Sequence, residues 1–118
     1  MGITGVRMFV KGSEPTTIED FLNHIDYIAK MIGVEHVGIG SDVSLDGYDD
    51  MTPAEQQAIR AGYKKSYAFR DKGDIDEIAH PKRMFDVTEG LIRRKYADDE
   101  ILAILGGNFR RVLGQIWV

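Results

Sequence analysis

Two short apolar runs that flank one amphipathic segment constrain the fold of this chain most. The first run, residues 2–10, is predicted to be a strand, and the second, residues 36–41, is predicted to be another. Between them apolar side chains recur at helical spacing, which predicts a helix. A helix between two strands predicts a βαβ unit over residues 2–42, with parallel strands and a right-handed crossover. The apolar stripe consists of Ile18, Phe21, Leu22, Ile25, Ile28, Ala29 and Ile32.

Capping residues fix the predicted ends of this helix. Thr16 and Glu19 have the spacing of a capping box, in which each side chain satisfies a free backbone amide of the first turn. Gly33 follows the last apolar residue and is predicted to be the C-cap.

The remainder, residues 53–118, is predicted to be helical. Thr52 and Pro53 begin a helix that is expected to run to about Tyr67. Further helices are expected after the charged break at residues 70–74, with Gly106 and Gly107 interrupting the last of them. The fold class is therefore α/β, with two parallel strands and about five helices in one domain. Two parallel strands leave unpaired edges, so self-association is expected.

Composition excludes several kinds of protein. The formal net charge of −4 shows no electrostatic footprint for nucleic acid. No apolar run in the chain approaches the length of a membrane span. The absence of cysteine excludes disulfides and thiolate chemistry, and it fits a reducing compartment, so we expect a cytoplasmic location.

Asp42 is the strongest candidate for chemistry. It follows the second predicted strand, and parallel strands present functional groups at their carboxyl ends. A carboxylate there could take a proton, bind an amine or contact a metal, or it could simply cap a loop. Ser41 lacks the surroundings of a nucleophile. Gly38 and Gly40 could form a phosphate loop, but close approach of neighbouring groups to the strand is the favoured interpretation.

The other polar candidates have plainer explanations. His24, His36 and His80 lie far apart without the spacing of metal ligands, so we expect the chain alone to bind no metal. Arg7 could bind a carboxylate ligand, although an arginine at a sheet edge or in a buried ion pair is favoured. The basic trio at residues 93–95 is predicted to be a solvated helix face.

Several separate segments resemble the C-terminal part of the membrane (renal) dipeptidase family. They are residues 21–28 (FLNHIDYI), 33–42 (GVEHVGIGSD), 88–94 (TEGLIRR) and 104–113 (ILGGNFRRVL). Their order and spacing are also those of the family, and the resemblance covers nearly the whole chain.

The resemblance implies zinc-dependent hydrolases built on a (β/α)8 barrel, which cleave dipeptides with a metal-activated hydroxide. It implies that the two strands are the last of the barrel. It also implies that Asp42 lies beside a binuclear zinc centre, contacts the substrate amine and handles a proton. The family continues its Gly-Ser-Asp motif with Phe-Asp-Gly, so Asp46 and Gly47, after an apparent two-residue insertion, are candidates for substrate contacts.

The family's metal ligands come from earlier strands, which these 118 residues do not include. We therefore expect a single partial domain, a barrel fragment inactive towards dipeptides by itself. It is expected to form a homo-oligomer or to pair with the missing barrel portion. The alternatives are a non-catalytic binding or scaffolding module, or an α/β hydrolase or phosphate-binding protein that uses no metal.

Overall fold

A two-stranded parallel sheet lies at the centre of the fold. The computed structural model describes residues 1–43, 51–63 and 72–117. Strand β1 (Gly2–Ile3) pairs with β2 (Gly38–Ile39), Gly2 opposite Gly38 and Ile3 opposite Ile39. The predicted α/β class and the parallel pairing are confirmed. No strand besides β1 pairs with β2 in the described part of the chain.

The first apolar run is not a strand throughout, so the prediction for residues 2–10 is wrong beyond Ile3. The chain turns, and residues Arg7–Val10 form a short helix, α1. The cause is the Arg7 side chain, which is buried among acceptors distant in sequence. Its Nε donates to the Asp74 carbonyl at 2.7 Å, and its terminal nitrogens lie 3.0 Å from Glu14 Oε2 and 3.2 Å from Asp76 Oδ1. Arg7 thus forms ion pairs in which its own side chain is buried, whereas the Glu14 and Asp76 side chains are 47% and 59% exposed.

Helix α2 (Ile18–Ile32) carries the predicted apolar stripe into the core, and Gly33 ends it with a φ of +102°. Its capping box lies one residue later than predicted. The Asp20 carboxylate, rather than Glu19, accepts from the Thr17 backbone N–H at 3.0 Å. The shift arises because Glu19 is bonded to arginines of another helix.

The segment before β2 also differs from prediction. Val34–His36 form a 3₁₀ turn, so His36 lies outside the strand that it was expected to open. Beyond β2, Gly40 N–H still donates to the Ile3 carbonyl at 3.0 Å, and Gly5 N–H donates to the Ser41 carbonyl at 2.7 Å. The segments that follow β1 and β2 therefore stay adjacent as far as Ser41, the residue before Asp42.

The remaining helices are α3 (Pro53–Ala61), α4 (Arg83–Arg93), α5 (Asp98–Leu102) and α6 (Asn108–Ile116), with a π-type turn at Ala103–Gly107 between the last two. Thr52 and Glu55 cap α3 reciprocally as their spacing predicts. Helix α3 ends at Ala61, short of Tyr67, which lies outside the described residues. With the short α1 included, the described residues contain six α-helices, and none is long and apolar enough to span a membrane.

The core lies between the sheet and helices α2, α4 and α5. Helices α2 and α4 come close together because α4 has no side chain at Gly90. A Cβ added there would overlap Leu22 Cδ1, and Leu22 is completely buried. The main core residues are Ile3, Phe21, Leu22, Ile25, Val37, Ile75, Ile78, Val87, Leu91, Ile101 and Ile104.

A polar network joins α2 to α4 at the edge of this core. Arg94 donates to Glu19 Oε2 and to Asp26 Oδ2, each at 2.6 Å, and its side chain is only 17% exposed. The Tyr96 hydroxyl donates to Asp26 Oδ1 at 2.8 Å, and burial together with this bond raises the pKa of Tyr96. The prediction of a solvated basic face is therefore wrong for Arg94.

Gly90→Ala tests the close contact between α2 and α4. We expect the free energy of unfolding to fall by about 1–3 kcal/mol, because the new methyl group must displace packed Leu22. Gly114→Ala on α6 is the matched control, since a Cβ there meets nothing within 4 Å. It should leave stability unchanged or raise it by up to about 1 kcal/mol. The free energy of unfolding of both variants is measured by urea unfolding. An equal loss for Gly90→Ala and Gly114→Ala would contradict the packing argument.

The network also predicts a dependence of stability on pH. Hydrogen bonds from Arg94, then Arg93, lower the pKa of Glu19 below its ordinary value of 4.5. Its contribution to stability is therefore fully present above pH 4.5 and is lost as the pH falls through the lower, folded-state pKa. Glu19→Gln should weaken the acid destabilisation seen in urea unfolding below pH 4.5. Glu77→Gln, at an exposed site on another element, should leave that destabilisation intact.

Candidate functional site

Asp42 lies just beyond the carboxyl end of β2. It is exposed and adopts a left-handed conformation, with a φ of +57°. Aspartate tolerates this region better than most residues because its short polar side chain can bond locally. The preceding residue is held by the bond from Gly5 N–H to the Ser41 carbonyl. The turn thus presents a carboxylate to solvent at the sheet edge where parallel folds place functional groups.

A pocket of about 210 Å³ opens beside Asp42. Asp42 is one of its two acidic lining residues, and Asp74, which is 6% exposed, is the other. Tyr63 also lines it. A pocket with carboxylates and an apolar wall suits a ligand that combines a cation with an apolar body. The apolar wall consists of Val6, Met8, Phe9 and Ile59.

The sequence indicated only one residue of this pocket as a candidate. Tyr63 and Asp74 come from segments distant in the chain, and no spacing links them to Asp42. Asp74 is brought here because its carbonyl accepts from Arg7 and because it forms an isolated antiparallel bridge with Val6. Asp46 and Gly47, the other predicted contacts, lie outside the described residues.

The glycines of the second strand serve close packing. A Cβ added at Gly38 would lie 2.5 Å from Phe109 Cε2, and one at Gly40 would lie 3.3 Å from the Gly2 Cα. No helix begins within residues 40–43, so the geometry of a phosphate loop is not present there. The close-approach interpretation accounts for both glycines.

The three histidines lie at separate places in the structure. His24 Nε2 is 2.7 Å from the Val10 carbonyl. His80 Nε2 is 3.0 Å from the Glu77 carbonyl, and His80 Nδ1 accepts from the Lys82 N–H. His36 is about half exposed beside Glu35. Within the described ranges, no three His, Asp or Glu side chains are grouped so that they could hold a metal ion.

The sequence does contain one spacing typical of metal sites, His24-Ile25-Asp26. Both residues lie on α2, where positions two apart point to opposite sides of the helix. Asp26 is already bonded to Arg94 and Tyr96. The described residues therefore do not fit the binuclear zinc centre that the resemblance implies.

Comparisons with known proteins agree with the resemblance. Residues 1–58 match the family model described as Membrane dipeptidase (Peptidase family M19). A relative described as Dipeptidase aclJ, from Aspergillus oryzae (strain ATCC 42149 / RIB 40), is 28% identical over 104 residues.

That alignment covers 88% of this chain and 19% of the relative, so the chain spans about a fifth of the length of the curated relative it matches. No solved structure matches the chain. The predicted resemblance is confirmed: residues 1–58 match the membrane dipeptidase family model, and the chain corresponds to a fragment of that family.

Proposed function

We propose that the chain is the C-terminal part of a zinc-dependent dipeptidase, with β1 and β2 as the last two strands of a (β/α)8 barrel. One observation carries the proposal. The carboxylate of Asp42 is exposed directly after a strand that is parallel to its neighbour. Barrel enzymes place their reacting groups at this end of their strands.

In this proposal Asp42 binds the ammonium group of a dipeptide. The adjoining pocket supports this role, because its apolar wall can take a side chain of the dipeptide. Asp46 and Gly47 would add contacts from the following loop. Asp42 would then position the substrate and hold a proton at its carboxylate as the amide bond breaks.

The catalytic machinery is incomplete in these residues. Zinc activates water for attack in metallohydrolases, and it needs a set of His and carboxylate ligands on neighbouring elements. The described segments contain no such group, and the chain spans only a fifth of its relative. We therefore propose that the chain alone is inactive and that the ligands belong to other parts of a complete dipeptidase.

The proposed domain is a single partial one, with a βαβ unit at residues 2–42 and a helical part at residues 53–118. Within the described residues its sheet has two strands, so it depends on packing against helices for its stability. Self-association, or pairing with the rest of a barrel, would cover the unpaired edges.

The second candidate is a non-catalytic binding module. The observation that favours it is the number of large apolar side chains that are exposed at the surface. Exposed apolar surface is typical of docking faces. Binding of a dipeptide at the Asp42 pocket separates the two candidates, because a non-catalytic binding module requires no dipeptide. Zinc content and turnover do not separate them, since neither candidate predicts zinc or turnover for this chain alone.

Assays of the purified chain test the proposal that the chain alone is inactive and lacks the zinc ligands. With added zinc, we expect no dipeptide hydrolysis above the buffer control and no stoichiometric zinc by elemental analysis after dialysis. A complete dipeptidase of the family, assayed in parallel, is the positive control. Turnover that Asp42→Asn abolishes would overturn the claim of inactivity and would strengthen the assignment of Asp42.

Binding experiments test the role of Asp42 without requiring catalysis. A dipeptide should shift the NMR signals of residues around the pocket, whereas its N-acetylated form, which lacks the ammonium charge, should not. Asp42→Asn should weaken binding by about tenfold, consistent with the loss of one charge-assisted hydrogen bond. Asp99→Asn, at an exposed carboxylate on α5, is the matched control. Undiminished binding to Asp42→Asn would contradict the proposed role.

A further inference from the structure

The pocket beside Asp42 has a floor made by two segments of the chain. Val6 forms an isolated bridge with Asp74, and the Arg7 backbone N–H donates to the Gly73 carbonyl at 2.9 Å. Val6, Gly73 and Asp74 all line the pocket. Because backbone bonds join the two segments, the pocket is a cleft with a defined shape.

The wall formed by α1 is held at both ends of that helix. At its start the buried Arg7 side chain donates from Nε to a backbone carbonyl distant in sequence, at 2.7 Å. At its end the carbonyl of buried Val10 lies 2.7 Å from His24 Nε2 of α2. Met8 and Phe9 lie between these attachments and line the pocket. Helix α1 thus presents an apolar wall that is already formed without a ligand.

A second apolar wall comes from α3. Ile59 lines the pocket from this helix, and Tyr63 lines it from just beyond the end of the helix. Helix α3 contains no buried residue, so the core does not depend on its side chains. Substitutions at Ile59 can therefore change the pocket with little effect on the fold.

The carboxylate of Asp42 is available to a ligand of this pocket. In the described part of the chain it takes part in no hydrogen bond or ion pair, and the residue is exposed. An unpaired carboxylate beside an apolar wall suits a ligand in which a cation is joined directly to an apolar group.

Covalent geometry decides which part of a dipeptide reaches the apolar wall. In the proposed function the ammonium group binds Asp42, and its nitrogen is bonded to the Cα that carries the first side chain, about 1.5 Å away. The second side chain is attached to the next Cα, about 3.8 Å further along the dipeptide. The first side chain is therefore the one placed next to Asp42, where the pocket opens.

We propose that this pocket selects the N-terminal residue of the dipeptide and favours an uncharged apolar side chain such as that of leucine. The selection rests on the proposed function, because it requires that Asp42 bind the ammonium group. The pocket volume of about 210 Å³ is below the roughly 300–1,000 Å³ of pockets for drug-sized ligands, so it suits one side chain. An acidic side chain is disfavoured, because it would lie near the Asp42 carboxylate.

A neighbouring apolar pocket of about 240 Å³ does not offer the same selection. Phe9 lines both pockets, but the described lining residues of the second one include no carboxylate. An ammonium group would find no opposite charge there. The pairing of charge and apolar wall is what assigns the N-terminal side chain to the pocket beside Asp42.

Two isomeric dipeptides test the selection on the full chain. Leucylglycine and glycylleucine have the same composition and charge and differ only in which residue carries the apolar side chain. By NMR titration we expect leucylglycine to bind about tenfold more tightly than glycylleucine or glycylglycine, since burying most of one leucine side chain is worth about this factor. Glutamylglycine should bind no more tightly than glycylglycine.

Substitutions at Ile59 test whether the apolar wall is the cause. Ile59→Trp should fill the pocket and remove the difference in affinity between leucylglycine and glycylglycine. Ile59→Ala, which shortens the wall, should reduce that difference severalfold. Ile92→Trp on α4 is the matched control, because Ile92 is 59% exposed and does not line the pocket. Isoleucine and tryptophan have similar helix propensities, and circular dichroism checks that each variant is folded.

The outcomes separate this selection from the proposed function. Equal affinities of leucylglycine and glycylleucine would overturn the selection and leave the role of Asp42 intact, provided that N-acetylation still abolishes binding. A preference for leucylglycine that survives both Ile59 variants would also overturn it. If none of these dipeptides binds, the proposed role of Asp42 fails and the selection fails with it.

Discussion

The packing of α2 against the sheet on one side and α4 on the other is the constraint on which this structure depends. Phe21, Leu22 and Ile25 of α2 are completely buried. Gly90 lets α4 approach Leu22, and Arg94 fixes the register of the two helices through carboxylates of α2. Since burial of large apolar side chains is the main favourable contribution to folding, the short strands persist because the helices hold them.

The function proposed for Asp42 follows from that packing. With only two residues in each strand, the sheet alone could not hold a loop in place. The bond between Gly5 and Ser41 and the ion pairs of the buried Arg7 side chain give the surrounding segments fixed positions. According to the proposal, the exposed Asp42 carboxylate and the small pocket beside it are one part of a larger catalytic arrangement. The family match over residues 1–58 covers this same region.

The unpaired surfaces have a common physical origin. A βαβ unit buries one face of its sheet against helices, and further strands and helices normally cover the rest. Here the sheet contains two strands in the described residues, and several large apolar side chains are exposed. Association with another polypeptide would remove that apolar surface from water.

The sequence by itself determined the elements whose signals are local. These include the stripe of α2, its end at Gly33, the cap at Thr52 and the interruption at Gly106, because capping and periodicity depend on residues a few positions apart. Only the tertiary structure decided that Arg7 ends the first apolar run as a helix and that Asp20 replaces Glu19 in the cap. The side chains of Arg7 and Glu19 bond to partners about 70 residues away. The pocket beside Asp42 also joins segments that no local sequence pattern connects.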